Sequence, residues 1–174
     1  MADPGAVGQR WRQVLADVGY LRRELRRLGP REAYVRRALT FDEASIRDVA
    51  AFERIYERLA NELDHLVRDY LMRRAANAQA QTEVENASAT SVFDVFATAQ
   101  RLPIASKSSL RRAAMARNAL QHDYLNVRAS DVFDGATELL TGVDAILAAV
   151  RVSWNELGIE LPQPPSAGPT STKQ

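Results

Sequence analysis

The chain has 174 residues, 23 Lys and Arg against 22 Asp and Glu, 46% hydrophobic residues and no cysteine. That length suits one domain with a real core plus tails. The missing cysteine excludes disulfides, thiolate nucleophiles and Cys-ligated metal sites. Only eight Gly and seven Pro are present, several of them in the tails, and Ala, Leu, Arg and Glu dominate, which argues against an all-β chain. Residues 1–6 read as a flexible N-terminus. From about 7 to 28, Trp11, Val14, Leu15, Val18, Leu21, Leu25 and Leu28 mark one helical face, which Gly29-Pro30 ends. A second helical stretch, 31–39, precedes Thr40-Phe41-Asp42. A long helix is predicted from about 43 to 80, because Ile46, Val49, Phe52, Tyr56, Leu59, Leu63, Leu66 and Tyr70 recur at steps of three and four. The polar stretch Asn77–Ser91 contains the break, with Thr90 or Ser91 as cap for a short helix carrying Val92, Phe93, Val95 and Phe96. Leu102-Pro103 stops that helix. The next begins near Lys107, with Ser108 or Ser109 as cap, and runs to about His122. A last helix spans 129–157, capped by Ser130 or Asp131. Residues 161–174 are rich in Pro and Ser and read as a disordered tail. The expectation is an all-α bundle of about five helices over residues 7–160.

No apolar run reaches the roughly 18 residues of a membrane span, and no signal-peptide pattern opens the chain. The expected setting is cytoplasmic, with no membrane partner. Charge is uneven. Residues 1–40 hold nine Arg against four acids, a net of +5, which leaves −4 for the remainder. An Arg-rich solvated helix face accounts for this; an electrostatic footprint for RNA or an acidic partner is the sharper alternative.

The segment that stands out for chemistry is Arg117-Asn118-Ala119-Leu120-Gln121-His122-Asp123-Tyr124. Arginine supplies a permanent cation with a planar fork of donors suited to phosphate. Histidine exchanges protons near neutral pH, and the chain has only two. Together they can cleave a phosphodiester without a metal. On a regular helix, residues five apart point about 140° apart, so Arg117 and His122 converge only if the helix unwinds or a second copy supplies one of them. Asn118 and His122, four apart, share a face. The other histidine, His65, reads as a surface or packing residue of the long helix. The carboxylates are dispersed, with no convincing metal site and no Gly-rich phosphate loop.

The pattern Arg117-Asn118-x3-His122-x-Tyr124 resembles the signature of the HEPN superfamily and specifically of its HepT toxin branch. The basic first helix, the long helix and the short Ser91–Phe96 helix before Leu110–Asn118 are similar to that family's order, over residues 7 to about 157. The chain departs from the usual pattern at Ala114-Met115-Ala116 and at Leu125-Asn126-Val127. The resemblance implies an all-α HEPN-type homodimer whose paired Arg–His motifs cut RNA, a tRNA or an mRNA, with neither metal nor cofactor. Arg117 and His122 would be catalytic, and Asn118 would orient the phosphate or the imidazole. The implied partner is an MNT-type nucleotidyltransferase antitoxin that adds AMP to Tyr124, placing bulk and negative charge beside His122. The alternative is a non-catalytic HEPN-fold helical partner of such a nucleotidyltransferase.

Overall fold

A computed structural model of the chain describes residues 4–122, 127–156 and 158–163. Seven helices and no strand are present among them: α1 Pro4–Leu28, α2 Arg31–Ala38, α3 Glu43–Arg74, α4 Ala78–Asn86, α5 Ala89–Ala99, α6 Ile104–His122 and α7 Ala129–Asn155. None of these helices is long and apolar enough to cross a membrane.

The all-α expectation holds, but seven helices stand where about five were expected, and the other differences lie at the ends of elements. Helix α1 starts at Pro4, inside the stretch expected to be flexible; proline is well suited to a first turn, where no amide is needed. Gly29, at φ 81°, ends it. Helix α3 stops at Arg74 rather than near 80, and the polar stretch beyond it forms a helix of its own. Asn77 caps α4 by accepting from the Ala80 amide at 2.9 Å. Helix α5 is capped by Ser88, not by Thr90 or Ser91. Helix α6 begins directly after Pro103, so Ser108 and Ser109 lie inside it. Helix α7 follows Arg128, with no side-chain cap from Ser130 or Asp131.

Helix α3 is the axis of the bundle. It packs against α1, α2, α4, α5, α6 and α7. Its inner face contributes Phe52, Tyr56, Leu59, Leu63, Leu66, Val67 and Tyr70, all buried. The α6–α7 pair closes the other side of the core. Two small residues allow that approach: a Cβ on Gly135 would lie 2.5 Å from the Ala116 Cβ, and one on Gly142 would run into Leu110. Tyr34, Phe52 and Phe133 form an aromatic cluster, with Tyr34 and Phe52 centroids 4.9 Å apart, where α2, α3 and α7 meet. After α7 the chain returns to α1. Leu161 is buried, and the Trp11 indole donates to the Pro162 carbonyl at 2.9 Å. The packed body therefore extends to residue 162, two beyond the expected boundary; the rest of the expected tail, from 164, lies outside the described residues.

Candidate functional site

The Arg117 motif occupies the last turns of α6, which stays a regular helix through His122. Alanines dominate the inner face there. Ala113, Ala114 and Ala116 are buried, and Ala116 faces Gly135 of α7. Tyr56 of α3 reaches α6 and donates its hydroxyl to the Ala113 carbonyl at 2.6 Å. Burial pushes the Tyr56 phenol well above its ordinary range, with the Arg117 backbone and charge opposing the shift in part. The phenol is a neutral donor, and it ties α3 to the turn that carries Arg117.

Arg117 lies on the side of α6 that faces α3 and is half-buried. Its Nε donates to the Asn61 side-chain oxygen at 2.7 Å, and its Nη2 donates to the same oxygen. Its Nη1 donates to the Asn118 oxygen at 2.8 Å. The guanidinium is thus held from two helices by neutral acceptors, and among the described residues no carboxylate pairs with it. One turn on, Gln121 donates to Glu57 of α3 at 2.6 Å. These contacts pin the end of α6 across the middle of α3.

His122 is the final residue of α6 and is exposed. Because the helix is continuous, its Cβ points about 140° away from that of Arg117 around the axis. Within one chain the structure joins Arg117 with Asn118 and does not join Arg117 with His122. Asn118 is half-buried and lies one turn before His122 on the same flank. Tyr124 lies outside the described residues. His65 is exposed, one turn after Asn61 on the outer face of α3. Among the described residues no group of three or more His, Asp or Glu side chains is placed to hold a metal ion.

Sequence reasoning missed Asn61. One signal was there: it is the only asparagine in the 32 residues of α3. Asparagine is a poor residue for a helix interior, because its side chain competes for backbone hydrogen bonds. A lone one in mid-helix therefore points to a side-chain partner. Which partner could not be read from the chain, since Asn61 and Arg117 are 56 residues apart.

Comparisons with family models, with curated proteins and with solved structures gave no match for this chain.

Proposed function

We propose that the protein is a HepT-like toxin of the HEPN superfamily, a metal-independent endoribonuclease acting on tRNA or mRNA as a homodimer. The observation that carries this reading is the setting of Arg117. A permanent cation is held in place by Asn61 and Asn118, with no carboxylate partner among the described residues, on the same two turns of helix as the exposed His122. An anchored but uncancelled guanidinium can stabilise charge developing on a phosphate. In the proposed reaction His122 takes the proton from a ribose 2′-hydroxyl. The 2′-oxygen then bonds to phosphorus, and the bond to the 5′-oxygen breaks. A second imidazole, supplied by the other copy, returns a proton to that leaving oxygen. The products are a 2′,3′-cyclic phosphate and a 5′-hydroxyl, and DNA is refused because it has no 2′-hydroxyl. An MNT-type nucleotidyltransferase would silence the site by adding AMP to Tyr124, two residues from His122.

A second reading has its own support. Arg117 and His122 diverge on α6, and the Arg117 fork is committed to neighbours within its own chain. A HEPN-fold binding partner of a nucleotidyltransferase, with no catalysis, needs no more than this. Cleavage of labelled RNA in excess EDTA by unmodified protein separates the two. The nuclease reading expects cutting that leaves cyclic ends, is lost in His122→Ala, and is silenced by the antitoxin in wild type but not in Tyr124→Phe. No cutting of tRNA or mRNA by verified unmodified protein assigns the non-catalytic role.

A further inference from the structure

The outer face of α3 is a basic track that ends at Arg117. Arg47, Arg54, Arg58 and Asn61 fall within about 60° of one another around the helix, over about 21 Å of its length. Between Arg47 and Asn61 no other residue of α3 falls in that sector, and Ala51 lies just beside it, so no carboxylate of the helix interrupts it. Arg47 and Arg54 are exposed and make no ion pair or side-chain hydrogen bond among the described residues. Arg58 is fixed by the buried Asp17, to which its Nε donates at 2.8 Å, yet about half of its side chain remains exposed. Asn61 then delivers the track to the Arg117 guanidinium.

An aromatic residue flanks this track. Tyr20 of α1 is 48% exposed, large for an apolar ring on an otherwise well-packed helix. It lies beside Arg58 of the track. The Arg23 guanidinium covers the Tyr20 ring at 4.4 Å from its centroid. A row of cations that follows a backbone, beside an exposed aromatic ring, is how sequence-tolerant sites hold single-stranded nucleic acid. Two copies of this chain would not pair through the face, since arginines would oppose arginines.

We infer that the exposed face of α3 from Arg47 to Asn61, with Tyr20 and Arg23 beside it, binds the backbone of single-stranded RNA and leads it to Arg117. The inference rests on the ribonuclease reading for its choice of ligand, and its test stands apart from catalysis. Binding of a labelled, unpaired oligoribonucleotide to the full chain is measured by fluorescence anisotropy in EDTA, across a series of salt concentrations. Wild type, Arg47→Glu, Arg54→Glu and Tyr20→Ala are compared with Arg151→Glu, a reversal of the same size on the far half of α7. Circular dichroism confirms that each variant is folded.

Each track reversal is expected to weaken binding about tenfold or more at low salt and to flatten the salt slope by roughly 0.7 or more. Tyr20→Ala is expected to weaken binding about fivefold or more with little change of slope. Arg151→Glu is expected to leave both nearly as in wild type. The inference is overturned if the track variants bind like wild type, or if Arg151→Glu weakens binding as much as they do. It is overturned equally if the protein binds anionic vesicles and no oligonucleotide. Binding through the track without any cleavage would remove the nuclease reading and keep the track. Cleavage that needs His122 but is indifferent to Arg47 and Arg54 would do the reverse.

Discussion

At the scale of single residues, position 135 sets how near the candidate site comes to the core. A side chain there would meet Ala116 on α6 at 2.5 Å and the Tyr56 hydroxyl at 2.6 Å. Both belong to the contacts that seat Arg117. Gly135→Ala is therefore expected to cost about 1–3 kcal/mol through overpacking, despite alanine's better helix propensity. Gly8 of α1 provides the contrast, since a Cβ there meets nothing within 4 Å. Gly8→Ala is expected to stabilise by about 0.5–1 kcal/mol. Urea unfolding of both variants checks the pair, and equal midpoints would show that the crowding at Gly135 relaxes freely. Asn61 holds the Arg117 guanidinium from α3.

At the scale of elements, caps and clamps decide where the helices stop. Asp42 caps α3 by accepting from the Ser45 amide at 2.9 Å. That hydrogen bond and those to the Ser45 hydroxyl and Ala44 hold the Asp42 carboxyl below its usual range. Further into the helix, the hydrogen bond from Arg27 lowers Asp48 against the opposing effect of burial, with the charges of Arg27, Arg37 and Arg47 adding to the lowering. A carboxyl whose folded pKa is depressed contributes stability that is present above its unfolded pKa and lost as pH falls through the folded value. The start of α3 is accordingly expected to hold above about pH 4 and to loosen below it. Amide hydrogen exchange over residues 43–49 between pH 3 and pH 6 measures this. Asp42→Asn, which keeps an acceptor but does not titrate, should flatten the profile; an unchanged profile would assign the loss of protection to other carboxyls. Helix α4 shows a clamp instead. At nine residues it is too short to persist alone. Arg68 of α3 donates to the carbonyls of Val84, Glu85 and Ala87 at 2.7–3.0 Å, and so closes α4's C-terminal end.

At the scale of the whole molecule, the positive excess of the first forty residues is largely spent on holding the bundle together. Arg10 bridges to Glu62 and Asp69, Arg27 and Arg37 to Asp48, and Arg31 to Asp134. Most of these pairs are partly exposed and individually weak. Among the described residues, Arg12, Arg23, Arg26 and Arg36 of that segment make no ion pair, and Arg47 and Arg54 of α3 add to this unpaired charge. The separation of Arg117 and His122 around α6 also belongs to this scale. If the proposed chemistry holds, a single chain is incomplete and two copies must meet near the ends of their α6 helices. Sedimentation of the unmodified protein is then expected to show a dimer at micromolar concentration, and a monomer that still cuts RNA would refute the shared site.

Much of this molecule was legible in one dimension. Helical periodicity located α1, the inner face of α3, and α7, because a buried face must repeat at the helix period whatever it packs against. The break at Gly29-Pro30 was equally plain, since the backbone chemistry of those residues is local, whereas α5 ends at Ala99, before Leu102-Pro103, with Arg101 at φ 51°. The Arg117–His122 pattern was visible as a motif, and its divergence on a continuous helix followed from spacing alone. What escaped was everything that depends on a distant partner. Helix α4 is closed by Arg68 of α3, which donates to carbonyls at its far end, and the placement of Arg117 depends on an asparagine 56 residues away. Periodicity reports which side of a helix is buried. Only packing decides which element covers it, and so which side chains meet.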